Sequence, residues 1–115
     1  LDLLPGALQI VGEQQQQIRF QLSMVLLAIL SQRLLPRHDK AGRILACEIL
    51  RNNTAIANLI RDGKTHQVYS VVETGTREGM ITMDRAVKKL YNTGKISYED
   101  AISTMRNPKE IKDSE

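Results

Sequence analysis

A chain of 115 residues, 42% of them apolar, is long enough to bury a core without disulfide or metal support. Its 16 basic residues are scattered and matched by 13 acidic ones, for a net charge of +3, and Phe20, Tyr69, Tyr91 and Tyr98 are its four aromatics, a composition that argues against a nucleic-acid stacking platform. The single cysteine, Cys47, excludes an internal disulfide framework and suits a reducing cytoplasm, and the longest apolar stretch, Leu22 to Leu30, falls well short of the roughly 20 residues a membrane span needs.

The opening Leu1-Asp2-Leu3-Leu4-Pro5-Gly6 lacks the charged-then-apolar layout of a secretion signal, and with Leu in first place the chain reads as cut from a longer one. Ile18, Leu22, Val25, Leu26 and Ile29 recur at three- and four-residue spacing, which predicts a helix from Glu13 to about Ala28 with one apolar face. Met24 and Leu27 widen that face and imply cover on more than one side, while Gln14 to Gln17 form a solvated face. Ala28 to Leu35 and Arg43 to Leu50 are short apolar runs across a polar turn, the pattern of an antiparallel strand pair.

Asn52-Asn53-Thr54 supplies caps for a short helix from Ala55, with Ile56, Leu59 and Ile60 on one side and Gly63 closing it in the left-handed conformation. A second short helix is expected over Lys64 to Thr74, with Val68, Val71 and Val72 inward and Gly75 as its stop, followed by a Thr76 to Gly79 loop. Thr82 caps a helix that presents Met83, Ala86, Val87, Leu90 and Tyr91 on one face before Gly94. Ser97-Tyr98-Glu99-Asp100 has capping-box spacing and opens a helix through about Met105, ended by Asn107-Pro108. The charged tail from Lys109 to Glu115 reads as frayed. The expected order is helix, strand pair, then four short helices.

Gly63-Lys64-Thr65 imitates the end of a phosphate-binding loop, but the motif needs a second glycine where this chain has Asn58, and it must follow a strand rather than a helix. His38, His66 and Cys47 share no spacing used by zinc sites, and His66 reads as a surface or interface residue. Gly75 to Gly79 is a turn.

Ala55-Ile56-Ala57-Asn58-Leu59-Ile60-Arg61-Asp62 is the informative segment. By periodicity it is an amphipathic helix with Asn58, Arg61 and Asp62 toward solvent or a partner, and such helices are most often structural. Its residues resemble the Ala-Ile-Arg-Asn-Leu-Ile-Arg-Glu signature of the type IV pilus retraction ATPases, the PilT family, at six of eight positions. The resemblance runs through Leu1 to Pro5, Ile18 to Leu22, Ile29 to Leu34, Gly42 to Ile49, Gly79 to Asp84, Gly94 to Ala101 and Asn107-Pro108, in order. Ala57 stands where the signature has Arg, and Asp62 where it has Glu.

What the resemblance implies is an α/β fold, the carboxy-terminal part of a RecA-like P-loop ATPase domain, seen here as a helix, an antiparallel strand pair and a helical carboxy-terminal bundle. Residues 1–62 would belong to the ATPase core and 63–115 to a helical region. The parent would be a homo-hexameric motor at the cytoplasmic face of the inner membrane, hydrolysing ATP with Mg²⁺ and meeting its neighbouring subunits and the pilus platform protein, without membrane insertion. Ala55, Ile56, Asn58, Leu59, Ile60 and Arg61 would be its motor-coupling motif. This chain would carry no catalytic, metal or cofactor residue and would be inactive alone. A stand-alone interaction module is the rival reading. The corresponding part of a type II secretion or pilus extension ATPase is another, although those commonly carry a four-cysteine metal module that Cys47 alone cannot build.

Overall fold

Short helices dominate the described residues, and side chains of Asn53, Thr82 and Ser97 cap the starts of three of them. The computed structural model describes residues 13–113, so the Leu1 to Pro5 segment lies outside the described residues. Helix α1 spans Glu13–Val25, strands β1 and β2 span Ala28–Pro36 and Arg43–Arg51, and α2 spans Thr54–Arg61. A 3₁₀ turn at Thr65–Gln67 leads into α3, Val68–Thr74, and a second at Thr76–Glu78 follows it. Then come α4, Met83–Asn92, α5, Tyr98–Thr104, and α6, Lys109–Asp113. The strands form a two-stranded sheet whose turn is closed by Arg37 N–H donating to the Gly42 carbonyl at 2.9 Å. Gly42 there has φ +104°, which only glycine adopts readily.

The described residues divide into two compact units, each made of two stretches of chain: residues up to Leu30 with Ile49–Met80, and Ser31–Glu48 with the residues from Ile81 onward. The boundary expected between residues 62 and 63 falls within the first unit, just past α2.

The first unit buries Leu50, Ile56, Ile60, Val68, Val72 and Met80, with Leu22, Leu26, Ile29, Leu59 and Val71 packed around them. Fully burying each large side chain of this kind is worth about 1.5–3 kcal/mol. α1 stops at Val25, three residues earlier than periodicity predicts, so Ile29 reaches this core from β1 instead of from the helix. Val25, expected on the inward face, is 69% exposed, as are Met24 (70%) and Leu27 (85%). The stripe that packs on this core is Leu22 and Leu26, both half-buried, with Ile18 half-buried on the same face.

The second unit buries Leu35, Ala46, Ala86, Val87, Ile96, Ala101, Met105 and Ile111. Thr82 Oγ1 accepts from Arg85 N–H at 3.2 Å, and the buried Glu48 carboxylate reaches from β2 to accept Met83 N–H at 3.2 Å, so two donors in the first turn of α4 are satisfied. Ser97 caps α5 by accepting from Asp100 N–H at 3.1 Å. The tail does not fray at Lys109 as its charge suggests: Lys109–Asp113 is a helix, and Ile111 is 1% exposed in the core. A single apolar side chain in a charged run found a pocket, and its burial outweighs the solvation of its neighbours. At the strand turn, Arg37 holds the Asp39 carboxyl well below the usual carboxylate range through bonds of 2.9 and 2.7 Å, with Lys95 adding a weaker attraction at 3.8 Å. Because the folded value is depressed, this pair supports the turn above the ordinary carboxylate range and loses that support as pH falls through the lower folded value.

Asp84 is 1% exposed, and its two oxygens accept Arg106 N–H at 2.6 Å and Asn107 N–H at 2.8 Å, tying α4 to the end of α5. Asp84→Ala leaves two donors without an acceptor and should cost about 1–3 kcal/mol in urea denaturation. The exposed Lys89→Ala should change stability by no more than about 0.5 kcal/mol. Equal losses from the two variants would show that the Asp84 bonds do not hold this junction.

Candidate functional site

Helix α2 begins where Asn53 accepts Ile56 N–H at 2.9 Å, one residue earlier than expected from the sequence. Three- and four-residue spacing turns Ile56 and Ile60 fully inward, at 0% exposure, with Leu59 packed beside them. The same spacing places Ala55, Asn58 and Arg61 on the exposed side, while Ala57 is half-buried. Arg61 Nη2 donates to Asn58 Oδ1 at 2.7 Å, and Arg61 Nε lies 3.7 Å from Asp62 Oδ1. The Arg61 and Asp62 side chains are 48% and 51% exposed, so the ion pair itself contributes about 0–1 kcal/mol. These polar groups are therefore presented by the helix rather than needed to hold it together.

At its far end α2 closes on Gly63, φ +73°, with Gly63 N–H donating to Ile60 O at 3.2 Å and Lys64 N–H to Leu59 O at 2.8 Å. This arrangement decides the chemistry of Gly63-Lys64-Thr65. A phosphate loop needs free backbone N–H groups converging on the ligand, and here two of them are spent on helix carbonyls. The residues do not fit a nucleotide phosphate.

Arg51, which sequence spacing did not single out, and Asn53, expected only as a cap, tie the start of α2 to Glu78. Arg51 Nη1 donates to Glu78 O at 3.2 Å and Asn53 Nδ2 to Glu78 Oε2 at 2.9 Å. These partners are 25 or more positions apart, beyond the reach of any local motif. Ala57 lines a shallow groove of about 520 Å³, walled by Leu26, Leu27, Arg51 and Thr54.

His38 and His66 are exposed and Cys47 is half-buried; His38 and Cys47 belong to the second unit and His66 to the first. Among the described residues no three His, Cys, Asp or Glu side chains gather as a metal site, and no helix is long and apolar enough to cross a membrane.

Known proteins bear on this site. No protein-family profile matches the chain. It is 42% identical over 94 residues to a twitching motility protein of Neisseria gonorrhoeae, covering 82% of this chain and 25% of that protein. It is 38% identical over 97 residues to the type IV pilus retraction ATPase PilT of Pseudomonas aeruginosa, covering 84% and 28%. The type IV pilus ATPase PilU of the same organism is 38% identical over 92 residues, covering 80% and 24%. The chain thus spans about a quarter of the length of these relatives. Among solved structures, that of the pilus retraction motor PilT with bound ADP superposes with a TM-score of 0.80 at 42% identity, covering 97% of this chain and 31% of that one. The ATPase DotB of Legionella pneumophila, at 20% identity and a TM-score of 0.61 over 80% of this chain and 25% of that one, shares the fold.

The inner and outer faces of α2 make separable demands. Ile60→Ala should cost about 2–5 kcal/mol through lost burial and the cavity left behind. Arg61→Ala should change stability by no more than about 0.5 kcal/mol. Thermal or urea unfolding of both variants checks this, and a large loss for Arg61→Ala would mean that Arg61 is structural.

Proposed function

We propose that this chain, which belongs with the type IV pilus retraction ATPases in sequence and in fold, forms the carboxy-terminal, motor-coupling portion of such an ATPase. One observation carries the reading: the segment that resembles the family signature is a helix with a buried inner face that holds Asn58 and Arg61 at an exposed rim. In this role Ile56, Leu59 and Ile60 anchor α2, and Ala55 keeps its outer side unobstructed. Asn58 and Arg61 pass the nucleotide-dependent movement to a neighbouring subunit or to the pilus platform protein.

The ATP and Mg²⁺ of the motor then bind to residues other than those described here, since the one candidate loop has its N–H groups engaged in closing α2. The same reading places the working protein in a homo-hexameric ring at the cytoplasmic face of the inner membrane. Ala57 and Asp62 set this chain apart from the signature. Replacing a five-donor guanidinium by a methyl group removes any contact that Arg would make with a partner, so the coupling here falls to Arg61.

Two experiments test this. In a full-length motor carrying this segment, Arg61→Ala should leave most ATP hydrolysis in place while pilus retraction fails. Retraction that persists, or hydrolysis that falls together with retraction, would sink the coupling role. The 115-residue chain by itself should show no saturable, Mg²⁺-dependent ATP binding. Such binding, detected by calorimetry, would place a nucleotide site within the chain.

A further inference from the structure

The turn that closes α2 is exposed from Arg61 through Lys64, yet one side chain lies against it. A Cβ built on Gly63 would sit 3.4 Å from Arg19 Cζ, 3.4 Å from Arg19 Nε and 3.7 Å from Arg19 Nη1. Near-equal distances from one point to three atoms of a planar group put that point over the face of the plane rather than beyond its edge. The guanidinium of Arg19, carried by α1, therefore lies across Gly63. Glycine is needed there for its positive φ, and the space where a Cβ would stand is in van der Waals contact with this guanidinium.

Arg19 Nε is shielded from solvent and finds no acceptor among the described residues. Burying an unpaired donor costs about 1–3 kcal/mol, so a position that needed only packing would be better served by an apolar side chain. What arginine adds is a flat, polarisable plate on a long stem, suited to stacking on a peptide turn. The turn beneath it matters because Gly63 and Lys64 donate to the carbonyls of Ile60 and Leu59. Those two residues lie between Asn58 and its partner Arg61 in the last turn. Uncovering the turn frees these carbonyls, frays the last turn and releases Arg61 from its set position.

We propose that Arg19 is a positioning residue for the coupling site: its guanidinium lies flat over the Gly63 turn and fastens the end of α2, with Arg61 and Asn58, to α1. The functional half of this proposal rests on the coupling role of Arg61 given above; the structural half stands without it.

Arg19→Met keeps the stem and removes the plane, and Arg19→Lys keeps the charge and removes the plane. Amide hydrogen exchange followed by NMR should show Gly63 and Lys64 exchanging about tenfold faster in both variants, the equivalent of about 1.4 kcal/mol of lost local protection. Ile56 N–H, held by Asn53 at the other end of α2, should be unchanged. Unchanged exchange at Gly63 and Lys64, or a uniform rise that includes Ile56, would overturn the proposal, as would full protection in Arg19→Lys. In the full-length motor, Arg19→Met should lower retraction more than it lowers ATP hydrolysis. A freed turn with normal retraction would refute the positioning role. If instead Arg61→Ala leaves retraction intact, the coupling reading fails, and the exchange data alone decide whether Arg19 holds the turn.

Discussion

Two adjacent asparagines set the geometry on which the first unit depends. A helix of eight to thirteen residues leaves a large share of its backbone groups without partners inside the helix, so its stability rests on what meets its ends. Asn52 and Asn53 meet two different ends. Asn52 Nδ2 donates to the carbonyls of Ser23 and Leu26 at 3.0 and 2.8 Å, and its N–H donates to Leu27 O at 2.9 Å, closing α1 and the bend after it. Asn53 turns the other way and opens α2. Because neighbouring residues do both tasks, the end of α1 and the start of α2 are held a fixed distance apart. Leu22, Leu26, Ile56 and Ile60 can then share one core.

That arrangement gives α2 the properties that the proposed coupling role requires. Its inner face is anchored by side chains at 0% exposure, its first turn is tied to Glu78 through Asn53, and its last turn closes over Gly63 beneath Arg19. The outward residues carry little of the fold's stability, and substitution there is free to alter contacts without unfolding the helix. The exchange of Arg for Ala57 and of Glu for Asp62 occurs on or beside this rim, where such changes are tolerated.

In the second unit, carboxylates are the corresponding devices. Glu48 and Asp84 are both nearly buried, and the oxygens of both accept backbone N–H groups at helix ends: Glu48 at the start of α4, Asp84 beyond the end of α5. A buried carboxylate without such donors would be costly, and backbone donors at helix ends without acceptors equally so. Pairing the two needs settles both, and it commits the chain after Thr104 to a path that brings Ile111 into the core.

Much of this was legible in the residues. Three- and four-residue spacing marked α1, α2 and α4, and Ile56, Leu59, Ile60, Val68, Val72, Ala86 and Val87 were identified as inward-facing from that spacing alone. Thr82, Ser97 and the glycines at 63 and 94 marked helix ends because capping and left-handed closure are local chemistry, decided within four residues. The resemblance of residues 55–62 to the retraction-ATPase signature was likewise a property of sequence. Other features depended on partners distant in the chain. Nothing near Val25 says that α1 ends there; its end is set by Asn52, more than twenty positions later. Nothing in the run from Lys109 onward distinguishes Ile111 from a solvated residue until the core of the second unit receives it. The division into units that each take two separate stretches of chain, and the laying of Arg19 over Gly63, are decided by which surfaces meet. Local periodicity determines which face of an element is apolar; only tertiary packing determines what that face, and each helix end, is given to touch.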